Sequence, residues 1–173
     1  SILIPLSLYL VRTTPSIKEW SILFSVYVLT FVSECIGVNY GFLFGDYQYG
    51  NSLGFKIFDV PLLIGANWVL LALTSRQVIG KLVTNKWLIM LGATTLMVLV
   101  DFIIEPVAPK LDFWKWKNDV IPFSNYRDWF IVGFIGQLLL VKFKLTELMF
   151  KWSISYIIIL VIFFASFYIL NMF

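Results

Sequence analysis

The sequence predicts an all-α, polytopic transmembrane helical bundle of about six spans, the first of them partial, and three observations carry that expectation. The chain of 173 residues is 60% hydrophobic and 18% aromatic but only 13% charged. Its mean hydropathy is +0.89, and a soluble domain of this length has too little interior to hide so much apolar surface, so the excess must face lipid. The apolar residues also gather into runs approaching the roughly 20 residues that a bilayer-spanning helix needs.

The first run, residues 2–11, is too short to span by itself. The chain opens Ser1-Ile2-Leu3-Ile4, with no Met and no signal-peptide layout, and reads as starting part-way through its first helix. The second run covers residues 17–40, the third 60–75 and the fourth 86–104. The fifth, 129–141, is short before Lys142, which implies a tilt or an extension into the preceding loop. The sixth covers residues 150–172. No internal repeat or low-complexity tract interrupts the series, and residues 1–173 read as a single integral membrane domain.

The connections alternate in character. Residues 12–19, 75–87 and 142–151 carry eight basic residues (Arg12, Lys18, Arg76, Lys81, Lys86, Lys142, Lys144, Lys151) against Glu19 and Glu147. Residues 41–59 and 105–128 are longer and carry five basic residues against six acids. The positive-inside rule therefore places the short basic loops in the cytoplasm, as in a bacterial inner membrane, and the acidic, aromatic loops on the far side. Tyr40, Tyr47, Tyr49, Trp68, Trp114, Trp116, Tyr126 and Trp129 crowd that far face. An interfacial aromatic belt accounts for about half of them, but a belt would populate both faces more evenly.

Composition also excludes chemistry. A single cysteine, Cys35, rules out an internal disulfide and a cysteine-rich metal site, and the absence of histidine removes the usual haem, zinc and copper ligands. No metal and no cofactor are expected. A net charge of +3 is too small to suggest nucleic acid. The expected partners are membrane lipid and an apolar substrate, with a homo-oligomer or association with other membrane proteins left open.

Four acids sit in or beside the apolar runs. Glu34 lies within the second, Asp101 near the end of the fourth, Glu105 one helical turn later before Pro106, and Asp46 in the loop after the second. A carboxylate in lipid is expensive, so such residues face the bundle interior and usually mark a functional site. Asp101 and Glu105, at i and i+4, share a helix face, and like charges that close cannot both ionise cheaply. That leaves a protonated carboxylic acid at neutral pH. The structural alternative is pairing with Arg127, Lys56 or Lys110, or helix capping; Glu34, with no basic neighbour in sequence, fits it least.

Two blocks surround these acids. The first is ECIGVNYGFLFGDYQYGNSLGFKIFDVPLLIGANW, in which Gly37, Gly41 and Gly45 recur every four residues and allow a helix or ligand to approach closely. It continues through Asp46, Tyr47, Tyr49, Gly50, Gly54, Val60-Pro61 and Asn67-Trp68. The second, DFIIEPVAPKLDFWKWKNDVIPFSNYRDW, sets Asp101, Glu105, Trp114, Trp116, Asn125 and Trp129 at the same membrane face. Acids, amides and stacked aromatics around an apolar cavity suit carbocation chemistry: a neutral carboxylic acid protonates an alkene, aromatic faces stabilise the cation, and a held water attacks it.

The GxxFGxYxY, Gly, VP, NW series and the D, EPxA, WxW, PxxN, W series, in that order, resemble membrane-embedded carotenoid 1,2-hydratases of the CruF type, which include the bisanhydrobacterioruberin hydratases. The resemblance spans roughly residues 34–129. It implies cofactor-free addition of water across the terminal double bond of an acyclic carotenoid end group, leaving a tertiary hydroxyl. On the residues' own chemistry, Asp101 or Glu105 is the expected acid, and Glu34 or Asp46 holds or deprotonates the water. Tyr47, Tyr49, Trp68, Trp114, Trp116 and Trp129 would line the cation site, with Asn67 and Asn125 as water or backbone ligands. A long apolar groove between helices would also be needed for the polyene.

Other readings stay open at this level. A lycopene-type cyclase would start from the same cation and quench it by ring closure. A non-catalytic membrane subunit or carotenoid-binding protein would use the acids structurally. A retinal protein is disfavoured because the last helix has no lysine between Trp152 and Phe173.

Overall fold

The computed structural model describes residues 3–142 and 147–169. The expected ends at Ile2 and Met172, and Lys144 of the basic loop, lie outside the described residues. Six helices follow in order: α1 (Leu3–Thr13), α2 (Ile17–Tyr40), α3 (Leu62–Leu82), α4 (Lys86–Ile104), α5 (Phe123–Leu139) and α6 (Glu147–Ile169). Of these, α2, α3, α4 and the Met149–Ile169 stretch of α6 are long and apolar enough to cross a membrane.

Helices α2 and α4 have the bounds that the sequence predicts, because their ends carry explicit stop and start chemistry. Ser16 and Glu19 form a capping box at the start of α2, in which the Ser16 N–H donates to the Glu19 carboxylate at 2.8 Å. The helix ends at Gly41, whose φ of 62° lets its N–H return to the Gly37 carbonyl at 2.8 Å. Asn85 caps α4 by accepting from the Trp87 N–H at 2.9 Å.

The other helices depart from expectation where polar residues turn inward. Helix α3 continues past Ser75 to Leu82. Arg76, assigned by sequence to a basic loop, is therefore a helix residue only 3% exposed, donating to the Val141 carbonyl at 3.2 Å. Helix α5 starts at Phe123, after Pro122, rather than at residue 129. Hydropathy misses that first stretch because Asn125 and Asp128 are polar, yet both are buried against the bundle.

Helix α3 forms the centre and packs against each of the other five helices. It is buried continuously from Trp68 to Gln77, as expected for a helix surrounded by others. Helix α2 is inverted relative to a helix of a soluble bundle. On α2, Trp20, Phe24, Val28 and Val32 face outward, while Thr30, Ser33, Glu34 and Gly37 face the interior. Large apolar groups outside and polar groups inside is the arrangement that lipid solvent demands.

At one face of this all-α bundle the loops contribute four short strands that hydropathy does not reveal: β1 (Tyr47–Tyr49), β2 (Lys56–Ile57), β3 (Val60–Pro61) and β4 (Trp114–Trp116). Strands β2 and β3 form a hairpin whose turn residues Phe58 and Asp59 have φ of 51° and 62°, the primed geometry that suits strand twist. Strands β1 and β4 come from different loops and pair antiparallel, Tyr47 opposite Trp116 and Tyr49 opposite Trp114.

The loop leading into β1 is pinned by α5. Phe44 has φ of 65°, a region that bulky residues rarely adopt. It is held there by its N–H donating to Asp128 at 2.8 Å and by Ser124 donating to its carbonyl at 2.9 Å. Asp128→Ala would strip a buried N–H of its acceptor, a loss of about 1–3 kcal/mol. Reversible unfolding in SDS should show that loss, whereas Arg127→Ala, removing an exposed partner of Asp128, should change the midpoint little.

Candidate active site

Alternate side chains of a strand point to the same face, and the β1–β4 register uses this to aim four aromatic donors into the bundle. Gln48 and Lys115, at the intervening positions, are exposed. The Tyr47 and Tyr49 hydroxyls both donate to Glu34 Oε2, the latter at 2.7 Å, and the Trp68 indole N–H donates to Glu34 Oε1 at 2.8 Å. From β4, the Trp114 and Trp116 indoles donate to Glu105 Oε2 at 3.0 and 2.6 Å. The Asn125 amide donates to Glu105 Oε1 at 2.7 Å and to Asp101 Oδ2 at 3.0 Å.

The three carboxyl groups are buried, and their hydrogen-bond partners are neutral. The pairings with Lys56 or Arg127 that sequence left open do not form: Lys56 donates to the Tyr49 carbonyl at 2.7 Å, and Arg127 pairs with Asp128. Burial pushes the Glu105 carboxyl up to about 7, against the opposing pull of the two indoles and the Asn125 amide. Burial, with Glu34 next in importance, raises the Tyr47 and Tyr49 hydroxyls well above their ordinary value, which keeps both as donors.

Rings close the site. Trp68 stacks on Trp129 with centroids 3.7 Å apart, and Tyr47 lies 5.0 Å from Trp116. Between them remains a cavity of about 20 Å³ bordered by Glu34 and Glu105 together with Tyr47, Tyr49, Ile64, Trp114, Trp116, Asn125 and Trp129. A water needs about 10–15 Å³ of such space, so the cage has room for one.

The structure thus brings together Glu34, Glu105, Asp101 and Asn125 with Tyr47, Tyr49, Trp68, Trp114, Trp116 and Trp129. Asp101 stands behind the cavity and reaches it through Asn125. Asp46 is not part of the cluster: it is exposed and pairs with Lys117 at 2.9 Å. Asn67 is half-buried and lines a second, larger cavity next to the cage. The glycine stripe is not a helix-packing face. Gly37 alone lies within the helix, and a Cβ there would sit 2.8 Å from the Tyr47 hydroxyl, so the gap admits the tyrosine that reaches Glu34. The aromatic crowd is mostly an inward lining, since among its eight members only Tyr40 is exposed.

Sequence reasoning missed Ile64, Phe44 and Asp128. Asp128 is masked by the adjacent Arg127, which makes it read as a local ion pair. Ile64 precedes Trp68 by one helical turn, a spacing that puts both on one face of α3, but nothing in an apolar residue's identity marks it as a cavity wall.

Gly37→Ala and Tyr47→Phe disrupt the same hydrogen bond from opposite sides. Loss of that donor should cost about 1–3 kcal/mol, and the double variant should lose about as much as the worse single one rather than the sum. A double-mutant cycle by SDS unfolding checks this.

Residues 2–173 match the family described as carotenoid biosynthesis protein. A curated relative, the bisanhydrobacterioruberin hydratase of Haloarcula japonica, is 26% identical over 119 residues, covering 61% of this chain and 39% of the relative. The chain therefore spans well under two thirds of that relative's length. No solved structure matches the chain. The chain belongs to the carotenoid biosynthesis family.

Proposed function

We propose that this member of the carotenoid biosynthesis family adds water across the terminal 1,2 double bond of an acyclic carotenoid end group, without a cofactor. The observation that carries the reading is the water-sized cavity bordered by both Glu34 and Glu105. The relative's name as a hydratase supports the same reaction class.

The two carboxyl groups differ in a way that supports separate roles. Glu105, raised to about 7, holds a transferable proton near neutrality, and it shares the Asn125 amide with Asp101. The Asp101 side chain meets Glu105 through that shared amide, which makes it a positioning residue. Glu34 accepts from three donors on its two oxygens, which holds its carboxyl group in place at the edge of the cavity.

In the reaction, the π electrons of the double bond take the Glu105 proton at C2, leaving a tertiary cation at C1. The faces of Trp114 and Trp129 stabilise that cation. The caged water forms the C1–O bond with its lone pair and releases a proton to Glu34. The next water to enter the cavity, in reach of both carboxyls, returns the proton to Glu105. Ring closure would have no need of a water site between the two acids, which favours hydration over a cyclase. The basic loops would place the cage at the non-cytoplasmic face.

Expression in a host that accumulates lycopene, followed by mass analysis of the pigment, tests the proposal. The expected product is heavier by one water per modified end, and Glu105→Gln and Glu34→Gln should each lose at least about 100-fold in rate. A product of unchanged mass but altered retention would identify ring closure instead. Unchanged pigment across a panel of acyclic carotenoids, beside well-folded protein, would make the chain a non-catalytic subunit.

The pH dependence follows from the raised Glu105 group. An acid whose proton is lost as pH rises through about 7 should give a kcat/KM that declines above neutrality. An initial-rate profile in proteoliposomes reads this directly, and a rate that climbs through pH 8 would contradict Glu105 as the donor.

A further inference from the structure

The cage is too small for an isoprenoid end group, so the substrate must lie elsewhere and present only its double bond. A cavity of about 570 Å³ lies beside the cage, formed by the starts of α1 and α3, the end of α4, residues 52–54, Phe113 and Trp114, and residues 156–164 of α6. Its volume is in the range of ordinary ligand pockets, about 300–1,000 Å³. The wall is mainly hydrocarbon and aromatic, with Leu53, Leu63, Phe113, Leu160 and Phe164 among its members. At its outer edge Phe163 is 49% exposed, so in a bilayer that side meets lipid.

Two residues belong to both spaces. Ile64 and Trp114 line the large cavity and also border the cage. Trp114 turns its indole N–H to Glu105 at 3.0 Å while still walling the groove. One helical turn from Ile64, Asn67 brings an amide to the groove wall; no hydrogen bond involves that amide among the described residues. An apolar channel that ends at a tryptophan face and an amide, with a carboxyl group just beyond, fits a long hydrocarbon with a single reactive end.

We infer that this groove holds the end group and adjoining chain of an extended polyene entering from the lipid, and that Ile64 and Trp114 form the threshold across which its terminal double bond meets the caged water. The inference rests on the hydration reading for the identity of the reacting end, but the groove itself makes a separate claim about binding. Asn67 stands where the newly formed hydroxyl would emerge and supplies its hydrogen bond.

The test measures binding apart from turnover. Lycopene is titrated into purified protein in nanodiscs, with induced circular dichroism of the polyene band and tryptophan quenching as readouts. Wild type and Glu105→Gln should both bind, because the acid lies beyond the threshold. Leu160→Trp and Leu63→Trp, which fill the groove from two different helices, should each weaken binding at least tenfold. Ile159→Trp, on the lipid-facing side of α6 with 67% exposure, should leave it unchanged.

Two filling variants guard against one that does not fold, and thermal melts identify such a variant. If both fold and bind like wild type, or if wild type shows no induced signal, the groove assignment is overturned. Binding lost in the filling variants, with no water added by wild type, would retain the groove and overturn the hydratase. Water added by wild type and by Leu160→Trp with the same KM would do the reverse.

Discussion

Three carboxyl groups buried in a lipid-facing bundle, held by neutral donors, impose the constraint on which the rest of the structure depends. Without those donors each would cost several kcal/mol. The solution is to lower a two-stranded ribbon onto the helix ends. Because strand side chains alternate, the single register Tyr47–Trp116 and Tyr49–Trp114 directs two hydroxyls at Glu34 and two indoles at Glu105. A shift of one residue would turn Gln48 and Lys115 inward and leave both carboxylates short of donors. The requirement extends outward: Gly37 clears the path of Tyr47, and Asp128 fixes the strained Phe44 that leads into β1.

The same arrangement divides the cluster among separate elements. Glu34 sits on α2, Asp101 and Glu105 at the end of α4, Asn125 at the start of α5 and Trp68 on α3, so four helices and the ribbon converge on a space for one water. Rigid helix positions hold the acids, and the ribbon supplies most of the donors. A preorganised set of this kind needs little rearrangement as charge develops, which is the main source of electrostatic catalysis. The adjoining groove is built from a different part of the fold, chiefly α6 and the first turns of α3. Groove and cage can therefore vary independently, sharing Ile64 and Trp114 as lining residues.

Most of the span pattern was legible because hydropathy responds directly to lipid contact. Helices α2 and α4 also carry local caps, and their bounds agree with the sequence expectation to the residue. The misplacements, Arg76 in a loop and α5 beginning too late, share one cause. Polar side chains facing a bundle interior lower local hydropathy without ending a helix. The acids Glu34, Asp101 and Glu105 were legible for the complementary reason, since charge inside an apolar run is rare enough to demand a purpose.

By itself the sequence determined a membrane bundle, the face at which its polar and aromatic residues gather, and the residue types available for acid-initiated chemistry, because composition and spacing are local properties. Only the tertiary structure decided which of those residues meet. Asp46 and Tyr47 are neighbours in the chain, yet one lies at the surface with Lys117 and the other reaches Glu34. Trp68 and Trp129 are far apart in sequence and stack. Strand pairing across two loops, and the packing of α6 beside α3, are long-range contacts with no local signature, and they set the donors of each carboxylate and the shape of the groove.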